Sequence, residues 1–210
     1  GLCGAGLGWA QDAGVAGAPD AGEPDPERMI QLVAMADDAI SGLARERNHA
    51  GLAAFRAKDF PTALRLFREA HDLAPSDPEI TNNLGFLYQA LGNRPEAERW
   101  YRETLSLAPR RGVAWLNLAD LLAESEDPKA LARAAAALVK ARQLRGNAWT
   151  IIRRQARVAA ARGLLADAER FYREAGQAGD DGLALEVGDF YRQLGRTGDA
   201  RIEINVRGLG

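Results

Sequence analysis

The sequence predicts an all-α protein built as a solenoid of antiparallel helix pairs, and three observations carry that expectation. Apolar residues recur at helical spacing, beginning with the stripe 29, 32, 33, 36, 40, 43. A set of small and aromatic residues, Gly85, Ala97 and Tyr101, comes round in the same register as Gly51, Ala63 and Phe67. Helix punctuation matches both. Pro61, Pro95 and Pro128 stand near expected helix starts, where a missing N–H is harmless, and Gly92, Gly163 and Gly195 stand near turns that favour a left-handed residue.

Along the chain, residues 1–26 are expected to be disordered. Gly1 to Gly8 is small and apolar, and Gly8-Trp9-Ala10 before Gln11-Asp12 reads as the remnant of a secretory signal peptide; the alternative is a flexible Gly/Ala tail without a targeting role. The following run DAGVAGAPDAGEPDPE is a linker, too poor in apolar residues to offset the entropy of ordering. Residues 27–40 are expected to form a capping helix closed by a turn at Ser41-Gly42. The helical region as a whole runs over 27–207.

The repeat has a recognisable pattern. Leu84-Gly85, Tyr88, Gly92, Ala97, Tyr101 and Pro109 stand at the spacings of the tetratricopeptide motif, with Thr104 replacing its usual alanine. Gly51, Ala63, Phe67, Ala70 and Pro75 repeat it one period of about 34 residues earlier. Trp115, Leu118, Ala119 and Leu122 begin a third copy, whose second helix carries Ala134, Leu138 and Ala141 after a short insertion near Asp127-Pro128-Lys129. Ala156, Gly163, Ala168, Tyr172 and Ala175 mark a fourth, and Val187-Gly188, Tyr191, Gly195 and Ala200 a fifth. The chain thus resembles the tetratricopeptide repeat family, with units over about 44–77, 78–111, 112–147, 149–180 and a truncated 181–207. That resemblance implies a right-handed superhelix with a concave face of first helices. It also implies an open C-terminal end near Val187 and Tyr191, where the array would continue or self-associate.

The family's groove positions fall on Asn48, Leu52, Asn82, Asn83, Phe86, Gln89, Leu116, Asn117, Asp120, Arg153, Arg154 and Arg157. Amides there have donors and acceptors to pair with the backbone of a bound strand, although they are equally consistent with a helix side kept polar for solvation. Arg153, Arg154 and Arg157 lie within one helical turn, so at least two heads are expected to converge on a carboxylate. The family's clamp for chaperone C-terminal tails needs basic residues where this chain has Asn48, Leu52, Val113 and Asn117; only Asn83 fits. That ligand is disfavoured.

Composition excludes several other classes. A net charge of −2 supplies no field for nucleic acid or anionic membrane, and no apolar run approaches the roughly 20 residues of a spanning helix. The lone Cys3 and the scattered His49 and His71 make no metal-ligand spacing. The string GLCGAGLG lacks the preceding strand and following helix of a phosphate loop, and no nucleophile with a base is visible. No cofactor, metal or catalytic residue is therefore expected. The expected role is a protein-interaction scaffold, exported to the periplasm or medium of a bacterium, with a protein or peptide partner in the groove. Alternatives are a cytoplasmic location, a recruiting domain of a larger enzyme, or a self-associating structural module.

Overall fold

The computed structural model describes residues 26–146, 148–177 and 183–195. The expected linker, the Gly/Ala segment and the second helix of the fifth unit lie outside them. The described elements are α1 (Pro26–Arg56), α2 (Phe60–Leu73), α3 (Pro78–Ala90), α4 (Arg94–Leu107), α5 (Gly112–Ala123), α6 (Pro128–Arg145), α7 (Trp149–Ala161), α8 (Leu165–Gln177) and α9 (Leu183–Gln193). Every described element is helical.

The chain divides into a unit over Gly1–Ala39 and one over Ile40–Gly210. In the first, the described residues belong to the start of α1, whose Ile30, Val33 and Met35 are exposed. In the second, α3 packs on α4, α5 on α6 and α7 on α8 as intimate pairs, and each second helix leans on the next first helix. The fold class is the expected solenoid of antiparallel pairs.

The sequence marks where these helices begin. Asp59, Asp77, Asn93 and Asp127 accept hydrogen bonds from the first free N–H groups of α2, α3, α4 and α6, and a proline occupies the first turn of all four. Gly92 and Gly163 turn the chain in the left-handed region, at φ +73 and +72; one repeat before Gly92, Lys58 takes that conformation at φ 61.

Packing within a pair depends on a missing side chain. A Cβ on Gly85 would lie 2.6 Å from Cδ1 of Tyr101, and one on Gly51 would lie 2.7 Å from the Phe67 ring. Both rings are fully buried, each removing apolar surface worth about 1.5–3 kcal/mol. One buried cluster runs from Ala44 through Phe67, Tyr101 and Leu138 to Ile151 and Val158; a second joins Ile152 and Ala156 to Tyr172, Val187, Phe190 and Tyr191. Helix α7 is thus shared, one face to each cluster.

Two expectations are corrected. Ser41 and Gly42 lie inside the continuous helix α1. Neither has a left-handed φ, and a single glycine weakens a helix by only about 1 kcal/mol, which is not enough to end it. Val187 and Tyr191 do not stand on an open face: they are 7% and 5% exposed, because they join Tyr172 and Phe190 in the second cluster. Thr104, which replaces the motif's usual alanine, is accommodated because its Oγ1 donates to Thr81 Oγ1 at 2.9 Å in a fully buried pair. The insertion near Asp127-Pro128-Lys129 is absorbed by the loop at 124–127 and by α6, which has 18 residues against 14 in α2 and α4.

Candidate functional site

First helices of successive pairs approach one another, α3 with α5 and α5 with α7. Their shared inner face is where the candidate residues were expected. The structure sorts those residues into two groups.

Most of the polar ones are engaged between repeats. Asn83 Nδ2 donates to Asn48 Oδ1 at 2.9 Å, and Asn48 Nδ2 donates to Glu79 Oε1 at 3.3 Å. One repeat on, Asn117 Nδ2 donates to Asn82 Oδ1 at 3.0 Å. Asn48 and Asn82 are 3% and 7% exposed. Burial obliges a polar side chain to find a protein partner, and the next first helix supplies one. Gln89 is similarly engaged, accepting from the Tyr101 hydroxyl at 2.8 Å and donating to Glu124 at 2.7 Å.

The arginines do not converge. Arg154 Nε donates to both carboxylate oxygens of Asp120, at 2.8 and 3.0 Å, toward the preceding repeat. Arg153 donates to Glu186 at 2.6 Å, toward the following one. Adjacent residues on a helix diverge by about 100°, so neighbours on either side capture them separately. Arg157 alone of the three stays exposed, with no hydrogen bond or ion pair among the described residues.

The face that is left is apolar at one end. Phe86 is 47% exposed, with its ring 5.1 Å from that of Phe55, which lies 5.6 Å from Phe60. Leu52 and Leu116 are half-buried. Further along, α5 and α7 enclose a hollow of about 420 Å³ between Asp120, Glu124, Arg154 and Arg157. Sequence reasoning missed this hollow, although Leu138 and Ala123 at ring and amide positions were a visible signal.

Two phenols feel this environment. Burial, reinforced by the Asp120 and Glu124 carboxylates, pushes the Tyr101 hydroxyl far above its usual range. Burial and Glu186 push Tyr172 up to about 12, against the opposing charges of Arg157 and Arg153. Among the described residues no group of His, Cys, Asp and Glu could hold a metal ion, and no helix is long and apolar enough to cross a membrane.

Stacked helix pairs, glycine-seated aromatic knobs and an inner face of first helices define a helical-repeat protein. Residues 54–110 match the family model described as Tetratricopeptide repeat. Residues 54–110 are thus a tetratricopeptide repeat segment within an array of helix pairs.

No curated protein matches the sequence. Among solved structures, the tetratricopeptide protein TTC0263 of Thermus thermophilus is similar at 20% identity and a TM-score of 0.62, over 75% of this chain and 86% of that one. MamA of Desulfovibrio magneticus RS-1 is similar at 15% identity and 0.69, over 77% and 91%. The first repeat domain of Spaghetti, bound to an HSP90 peptide, is similar at 17% identity and 0.52, over 58% and 94%. These likenesses show the fold.

Proposed function

We propose that this chain is an interaction scaffold that seats a segment of a partner polypeptide along the inner face of its first helices. The observation that carries the reading is Phe86, an aromatic ring nearly half exposed on that face and backed by Phe55. Aromatic anchors of this kind contribute disproportionately to binding, and here the surrounding amides are already paired, so the ring is the group with most to gain from a partner. The Spaghetti domain of the same fold is bound to a peptide, which supports a peptide as the occupant. The departures at Leu52, Val113 and Asn117 argue against a chaperone tail. The proposal assigns the chain no catalytic step.

A library of random peptides displayed on phage, panned on the whole chain, tests it. Enriched peptides are expected to lose about tenfold or more in affinity, ~1.4 kcal/mol, for the Phe86→Glu variant. Absence of enrichment, or equal affinity for both proteins, overturns the reading. We also propose export, on the strength of Gly8-Trp9-Ala10. Fractionation of cells expressing the complete reading frame tests that; retention with cytoplasmic markers overturns it.

A further inference from the structure

At the position of the buried ring the third repeat departs from its neighbours, and a space lies beside that position. In the second repeat the Tyr101 ring fills the pair interior, and its hydroxyl donates to Gln89. One repeat later the ring position is Leu138 and the amide position is Ala123, so both ring and amide are absent. The fourth repeat restores the ring with Tyr172. What opens between α5 and α7 is the hollow of about 420 Å³. Its floor is apolar, with Ala119, Ala123, Leu138 and Val158, and Ala161 stands on an exposed wall.

The rim carries charge that does not cancel. Asp120 is held by Arg154, and Glu124 by Gln89 at 2.7 Å and Arg94 at 3.5 Å. Arg157, on the same rim, has no hydrogen bond or ion pair among the described residues. Two neutralised carboxylates and one uncompensated guanidinium make the mouth cationic, and a planar guanidinium in a partly desolvated cleft favours a carboxylate.

Resting on the groove reading above, we propose that this hollow is a specificity subsite for a partner peptide, taking an aromatic or leucine side chain that is followed closely by an aspartate or glutamate. The apolar side chain enters over Leu138 and Val158 while the carboxylate meets Arg157. The volume lies within the ~300–1,000 Å³ common for ligand clefts, so a ring fits without repacking α5 or α7. Specificity follows from a missing ring in one repeat rather than from the repeat pattern itself.

The test uses the displayed random-peptide library on the whole wild-type chain and on three variants. Ala123→Phe fills the hollow from within, Ala161→Phe fills it from an exposed wall position, and Arg157→Glu reverses the mouth at an exposed position, which keeps a folded comparison if Ala123→Phe unfolds. Wild-type protein is expected to enrich peptides pairing an aromatic or leucine with a nearby acid. Those peptides are expected to bind about tenfold or more weakly to Arg157→Glu and to Ala161→Phe. Peptides that bind these variants as they bind wild type, yet lose affinity for Phe86→Glu, overturn the subsite and leave the groove reading standing. Enrichment of basic peptides also overturns it. No enrichment at all overturns both.

Discussion

Asn83 on α3 donates its amide proton to the buried Oδ1 of Asn48 on α1, one repeat away, at 2.9 Å. Asn117 and Asn82 reproduce the bond one repeat later at 3.0 Å. The same register continues in charged form where Arg153 meets Glu186. A polar ladder therefore ties first helices together along the array, beside the apolar packing within pairs.

The ladder predicts an asymmetric mutational response. Asn83→Ala leaves the buried Asn48 carbonyl without its donor and is expected to reduce stability by about 1–3 kcal/mol. Asn48→Ala/Asn83→Ala is expected to be less destabilised than the sum of the singles, by roughly 0.5–1.5 kcal/mol. Urea midpoints of the four proteins check it; strict additivity refutes the ladder as an energetic link.

The glycine contact predicts a conditional effect. Gly85→Ala forces a Cβ to 2.6 Å from a ring that is fully buried and cannot swing away, which is expected to destabilise by about 1–3 kcal/mol. The third repeat pairs Ala119 with Leu138 instead. Gly85→Ala/Tyr101→Leu is accordingly expected to recover part of the loss relative to the summed single effects. Thermal unfolding of the three variants decides the sign of the coupling.

Thr81 and Thr104 give a third case. Both are fully buried, and the single proton of Thr104 Oγ1 has two acceptors within reach, Thr81 Oγ1 and the Trp100 carbonyl, each at 2.9 Å. Thr104→Val keeps the shape but leaves the Thr81 hydroxyl with only the Asp77 carbonyl at 3.3 Å, and is expected to lose about 1 kcal/mol. Thr81→Val/Thr104→Val removes both polar partners and is expected to return toward wild type. A double variant worse than either single, by urea titration, counts against the bond.

Alkaline pH should weaken the fold. Tyr101 and Tyr172 have folded-state pKa values raised above the unfolded value near 10, Tyr172 to about 12. Their contribution is intact below about pH 10; above it the unfolded chain gives up phenolic protons that the folded chain retains, so stability falls with rising pH. Each group contributes a slope of about 1.4 kcal/mol per pH unit until its folded pKa is reached. Ultraviolet titration is expected to show Tyr101 and Tyr172 ionising late, and Tyr172→Phe is expected to flatten the decline of stability.

Much of the fold was legible because it is written in short-range pattern. Small residues facing aromatic ones, capping Asp and Asn, and prolines in first turns each act within a helix or its immediate partner. Their spacing survives translation into structure. The Ser41-Gly42 turn was misread because a glycine signals a stop only when its backbone adopts a left-handed φ, and no side chain or proline nearby compels that.

The site was less legible. Sequence placed Asn48, Asn82, Arg153 and Arg154 on the inner face, which is a statement about one helix. Only the tertiary structure decided that the asparagines are buried against the next helix, and that the two arginines are drawn apart by Asp120 and Glu186. The sequence by itself determined the helix pairs and their order, since periodicity and local sterics are properties of neighbouring residues. The stacking of one repeat on the next decided which polar groups are spent, where Phe86 and Arg157 are left exposed, and where a hollow opens. Those outcomes depend on which side chain across the interface lies within reach of a desolvated group, and that information lies a whole repeat away.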